Sequence, residues 1–187
     1  MKKKLSPMLV IFLTVFIDLL GFGIILPLSP YYTEHFGGTA LEVGMLGATY
    51  SLMQFVFAPF WGSLSDRVGR RPIILTCILG GAVSFASFAA ADSLAMLFFT
   101  RALQGFFGAN ISAAQAYVAD ISTKENRSKS MGLIGAAFGL GFIFGPAIGA
   151  KMSELGPSVG AAFGYEGHGV FGMGFPGLFS SALCLFN

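Results

Sequence analysis

The chain has 187 residues, of which 55% are hydrophobic and 11% charged, with a formal net charge of +2; a soluble domain carries about twice that charged fraction. Twenty-one Phe and twenty-six Gly point toward membrane helices, where Gly is more frequent than in soluble ones. The sequence has no nucleotide-cradling loop, no Cys/His metal spacing, no basic run suited to nucleic acid and no nucleophile–base constellation, so it reads as neither an enzyme, nor a cofactor or metal protein, nor a nucleic-acid binder.

A bilayer core about 30 Å thick takes about 20 apolar residues as helix. Taken in chain order, the first such run is Leu5–Tyr32, preceded by Lys2, Lys3 and Lys4 and interrupted by one charge, Asp18. It is too long for a signal-peptide core and has no A-x-A-like cleavage site after it, so it reads as a retained first span. Val43–Leu64 and Pro72–Ala91 follow without a charge, then Leu94–Ala119 with Arg101, then Ser130–Ala150 without a charge. Inside a bilayer each backbone polar group must be satisfied within its own segment, which makes these runs helices. Beyond Lys151 the pattern degrades. The glycine-rich stretch 156–177 reads as an extracytoplasmic loop, and a partial sixth helix over about 175–187 follows. That helix is too short to cross alone.

The connections alternate in charge. The first, Thr33–Glu42, has Glu34 and Glu42 but no Lys or Arg, and the third is a tight turn at Asp92 and Ser93. The second holds Arg67, Arg70 and Arg71, and the fourth Lys124, Arg127 and Lys129. With the N-terminal lysines, nine of the eleven basic residues share one side. The positive-inside rule makes that side, and the N-terminus, cytoplasmic. Cys77 and Cys184 lie in apolar runs and read as small fillers. His35 and His168 stand alone and read as loop residues.

The second connection carries a long motif: Gly62-Ser63-Leu64-Ser65-Asp66-Arg67-Val68-Gly69-Arg70-Arg71-Pro72, with Leu75 beyond. A positive-inside anchor accounts for the arginines alone. Gly62 permits close helix approach, Asp66 can pair with the arginines or cap a helix, Gly69 permits a left-handed turn, and Pro72 suits a first helical turn. Position for position the segment resembles the loop between helices two and three of major facilitator superfamily transporters. Two further matches agree. Leu97-x-x-x-Arg101-x-x-Gln104-Gly105-x-x-Gly108-Ala109 resembles the family's fourth-helix motif, and Gly141-x-x-x-Gly145-Pro146-x-x-Gly149 its antiporter motif in helix five. Asn110 and Ala150 depart from the usual Ala and Gly. The Asp18–Pro27 stretch, with Gly69–Pro72, looks most like the tetracycline-efflux and related drug:proton antiporters.

The resemblance implies an all-α membrane protein: the N-terminal six-helix half of a major facilitator fold, with five full spans, a partial sixth, and the C-terminal half absent. It implies a multi-pass protein of the cytoplasmic (inner) membrane, working with lipid, protons and a small-molecule substrate by alternating access, with no cofactor. Gly62, Asp66, Arg67, Gly69, Arg70 and Arg71 would form a conformational latch, with Asp120 as a charge partner. Two alternatives stand beside drug export: transport of another solute such as a sugar or metabolite, and a fragment that needs a second half.

Asp18 and Arg101 are the ionisable residues well inside the spans. Such residues are costly there and usually face a cavity or each other. At about 1.5 Å per residue, Asp18 lies roughly 20 Å from the cytoplasmic edge and Arg101 roughly 10 Å from the outer edge, similar levels that allow pairing. The functional expectation is that Asp18 exchanges a proton while Arg101 tunes its affinity; the plainer ones are a fixed structural pair, or Arg101 snorkelling outward. Gln54, Gln104, Asn110 and Gln115 are substrate-path candidates or interhelical hydrogen-bond formers. Phe22, Tyr50 and Phe106 are candidate wall residues. Gly141, Gly145 and Gly149 recur every four residues and form one small-residue packing face, which Pro146 can kink.

Overall fold

A computed structural model describes residues 7–162 and 174–186. Lys2, Lys3, Lys4, His168 and the central part of the glycine-rich stretch lie outside the described residues. The described residues form eight α-helices: α1 (Pro7–Ile25), α2 (Ser29–His35), α3 (Ala40–Val68), α4 (Arg70–Ala89), α5 (Leu94–Gly108), α6 (Ile111–Ile121), α7 (Arg127–Ala162) and α8 (Phe175–Phe186). Four stretches are long and apolar enough to cross a bilayer singly: Met8–His35, Ala40–Val68, Arg70–Ala89 and Arg127–Ala161.

The first expected span is realised as α1 and α2 joined by a 3₁₀ turn at Leu26–Leu28. Pro27 and Pro30 remove two N–H donors there, which breaks the regular ladder. Hydroxyls take up part of the freed bonding, as Ser and Thr do at such breaks. Ser29 Oγ donates to the Ile25 carbonyl at 3.2 Å, and Thr33 Oγ1 to that of Ser29 at 2.8 Å.

The acidic first connection has a structural use. Glu42 accepts from the Thr39 backbone N–H at 2.6 Å and from its hydroxyl at 3.0 Å, which closes the N-terminus of α3. Gly69 separates α3 from α4 at φ +108°, a conformation that L side chains rarely adopt. Pro72 falls in the first turn of α4, as expected. The tight turn after α4 ends in Ser93, whose Oγ accepts from Met96 N–H and caps α5.

Two expectations need correction. The fourth span is not one helix: it tightens at Ala109–Asn110, where the Asn110 N–H bonds the Phe107 carbonyl in a 3₁₀ manner, and α6 restarts. The fifth is longer than 130–150, running 36 residues from Arg127 to Ala162, so residues 156–162 are helix rather than loop. Hydropathy falls at Lys151, but helicity does not, because Lys151 and Glu154 pair at 2.9 Å on one face.

α1 is the central element. It lies against α7 along its length and also meets α8; α4 sits between α5 and α8, and α3 packs on α5. The buried core draws on Val15, Leu19 and Ile24 of α1, Ile74, Ile78 and Phe88 of α4, Leu97 of α5 and Val118 of α6. Leu52, Phe55 and Val56 of α3, and Ile143 and Phe144 of α7, point away from it.

Candidate functional site

Asp18 opens onto a cavity of about 20 Å³ at the middle of the bundle. α1 contributes Leu19 and Phe22 beside Asp18, α3 contributes Tyr50, α4 Gly81 and Phe85, and α5 Gln104 and Gly108. Glycine makes the approach possible: a Cβ on Gly81 would lie 3.9 Å from Asp18 Oδ1, and one on Gly105 would overlap the Tyr50 backbone. The Asn110 side chain hydrogen-bonds the Asp18 carboxyl. The 3₁₀ turn between α5 and α6 therefore carries a polar group that faces the intramembrane acid.

Tyr50 is held on three sides. Phe22 stacks on its ring at 4.5 Å between centroids. Gln54 Nε2 donates to its hydroxyl at 3.3 Å and to the Gly108 carbonyl at 3.0 Å. Gln54 thus ties α3 to α5 at the cavity wall.

Arg101 is only 2% exposed, so it does not snorkel to the surface. Nor does it pair with Asp18: the ion pairs among the described residues are Arg70–Asp66, Arg70–Asp120 and Lys151–Glu154. Instead Nη2 donates to Ser29 Oγ, Nη1 donates to Gln104 Oε1 at 3.0 Å, and the guanidinium lies 5.4 Å above the Phe88 ring. A buried cation needs such partners to offset desolvation. Gln104 stands between the two charges, bonded to Arg101 on one side and lining the Asp18 cavity on the other.

The remaining site residues separate into three groups. At the cytoplasmic end, Arg70 bridges two acids: Nη1 lies 2.5 Å from Asp66 and Nε 3.0 Å from Asp120, with Ser65 Oγ also bonded to Nη1 at 2.6 Å. Arg67 and Arg71 are exposed and make no ion pair among the described residues. Gly62 meets Ser112 at ordinary contact distance, so the approach there is not unusually close. On α7, Gly141, Gly145 and Gly149 all press on the α1 backbone from Leu19 to Ile24, with Pro146 beside Gly145.

The third group lies away from the cavity. Gln115 is exposed on α6. Phe106 belongs to an aromatic cluster with Phe57, Trp61 and Phe107, and its carbonyl accepts from Trp61 Nε1 at 2.7 Å. Ser29, Gly81 and Phe85 were not among the sequence candidates. Ser29 had a signal: it is a hydroxyl flanked by Pro27 and Pro30 inside an apolar span.

Comparison with known proteins gives a consistent answer. The family model described as Major Facilitator Superfamily matches residues 11–186. The chain is 38% identical over 156 residues to the tetracycline resistance protein, class C, of Escherichia coli, covering 82% of this chain and 39% of that one. It is 35% identical over 178 residues to major facilitator superfamily domain-containing protein 10 of Homo sapiens, covering 79% of this chain and 39% of that one. The crystal structure of the human organic anion transporter MFSD10 (TETRAN) superposes with a TM-score of 0.76 at 31% identity, over 97% of this chain and 47% of that chain. This chain spans about two fifths of the length of these curated relatives.

Proposed function

The chain belongs to the major facilitator superfamily, and from that premise we propose that it is the N-terminal half of a proton-coupled exporter of tetracycline or a similar drug, seated in the cytoplasmic membrane. Family membership points to transport rather than enzymatic chemistry. The observation that carries the reading is the setting of Asp18. It is an acid on a central helix, beside a cavity, facing hydrogen-bonding groups from α3, α5 and the α5–α6 turn. An intramembrane carboxyl so placed can bind and release a proton, and each state alters what its neighbours can bond. Arg101, one residue removed through Gln104, gives the fixed charge against which that change is felt. Substrate and proton compete for the same wall, and the Arg70 bridge and the α1–α7 glycine contact hold the helices that must move.

The test is drug accumulation in cells expressing the chain, alone and together with the C-terminal half of a tetracycline resistance relative, with and without an uncoupler. The expected result is uncoupler-sensitive export only when both halves are present, lost in Asp18→Asn. Export that keeps its proton dependence in Asp18→Asn removes Asp18 from the mechanism. A second reading, transport of a small organic anion, draws on the buried positive charge of Arg101. Competition of the exported drug by organic anions distinguishes the two.

A further inference from the structure

The amide of Gln104 is 4% exposed, yet its Nε2 has no partner among the described residues. Its orientation is set by chemistry. Arg101 can only donate, so the group bonded to Arg101 Nη1 at 3.0 Å must be the amide oxygen. The NH₂ end is left at the Asp18 cavity, and a buried amide donor without an acceptor costs about 1–3 kcal/mol.

What would satisfy it follows from the cavity itself. A donor, Gln104 Nε2, and an acceptor, the Asp18 carboxylate, line the same space, with the Tyr50 hydroxyl as a further polar group. A metal cation is disfavoured, because the amide presents N–H rather than oxygen. A ligand must accept from one wall and donate to the other, which a hydroxyl-type oxygen does. The volume, about 20 Å³, admits one water and nothing larger, since roughly 10–15 Å³ is the minimum for a water.

We propose that this cavity is a built site for a single ordered water, which accepts from Gln104 Nε2 and donates to the Asp18 carboxylate, joining Asp18 to Arg101 through Gln104. The groups around it are known. Tyr50 of α3, Cys77 of α4 and Cys184 of α8 feel the Asp18 charge, and Tyr50 also feels Arg101. The water is the one link that must change when Asp18 gains a proton: the acid then becomes a donor, and the water must turn to accept from it. Gln104 is a positioning residue in this scheme. The consequence for coupling rests on the reading of Asp18 as the proton-exchanging group; the water site does not.

The experiment is infrared spectroscopy of the purified chain in lipid nanodiscs, comparing H₂¹⁶O with H₂¹⁸O and following the Asp18 carboxyl band across the physiological pH range. The expected result is an isotope-sensitive band from a held water that is lost in Gln104→Leu and kept in Gln115→Leu. Gln104→Glu, which keeps an acceptor for Arg101 but removes the donor, should lose it too, even if Gln104→Leu fails to fold. No such band, or a band unchanged in the Gln104 variants, overturns the water site. A band that behaves as expected while Asp18 holds one charge state throughout supports the site and overturns the proton reading instead.

Discussion

Gly145 of α7 lies directly on Gly23 of α1: a Cβ built at Gly145 would come within 2.6 Å of the Gly23 carbonyl carbon, and one at Gly23 within 2.7 Å of the Gly141 carbonyl oxygen. Backbone meets backbone here, so no side chain can yield. Without a hydrophobic drive between helices in lipid, close packing of this kind supplies the association energy.

Gly145→Leu should therefore prevent α1 and α7 from docking. Even Gly145→Ala should cost about 1–3 kcal/mol, the range of an overpacked core. Gly139 lies on the same helix with nothing within 4 Å of its Cβ position, so Gly139→Ala should be neutral. Thermal unfolding of the detergent-solubilised chain compares them. Equal melting of Gly145→Ala and Gly139→Ala would dismiss the contact as a determinant of stability.

A second expectation concerns the cation. Ser29 Oγ accepts from Arg101 Nη2, and Ser29→Ala leaves a buried charged donor with one bond fewer. A hydrogen bond to a charged group contributes about 1.5–3 kcal/mol, so Ser29→Ala should lower stability by that order. Arg101→Lys should lower it as well, because one ammonium cannot reproduce a planar fork reaching Ser29 and Gln104 at once. Denaturant titration of both variants is the measurement, and an unchanged midpoint for Ser29→Ala would show that Arg101 finds another acceptor.

The cytoplasmic bridge should behave differently. Arg70 joins Asp66 and Asp120, but the acids are 62% and 57% exposed. Exposed pairs contribute about 0.2–1 kcal/mol and weaken with salt. A double-mutant cycle on Arg70→Ala and Asp120→Ala should return a coupling of that size, falling as ionic strength rises. A salt-independent coupling well above this range would mean that the bridge is desolvated in the membrane-bound protein.

What could be read from the sequence follows from which forces leave a local trace. Charge and hydropathy are local, so the spans, the connection arginines and the exceptional status of Asp18 and Arg101 were visible in residue order. Gly69 was visible too, because a positive φ selects glycine. The route between Asp18 and Arg101 was not. Equal depth suggested contact, whereas Ser29 and Gln104 take the guanidinium and Asn110 meets the carboxyl, a three-dimensional competition with no sequence signature. The length of α7 was missed for another reason: hydropathy marks where a helix meets lipid, not where its backbone ladder ends, and Lys151 with Glu154 carries the ladder onward.

The orientation can be settled with the chain's own cysteines left in place. Cys77 and Cys184 are 1% and 2% exposed, so both should be silent to a membrane-impermeant maleimide. Glu34, at the end of α2, and Glu125, between α6 and α7, are both exposed and belong to connections of opposite charge character. Basic residues resist translocation while acidic ones contribute little, which places the Lys124–Lys129 connection inside and the Glu34 connection outside. Glu34→Cys should then label in intact cells, and Glu125→Cys only after the membrane is opened. The reverse pattern would invert the whole chain and put the Arg70 bridge on the outer face. Labelling of both from one side would break the alternation of spans on which the assignment of α3 and of the α5–α6 pair as membrane crossings depends.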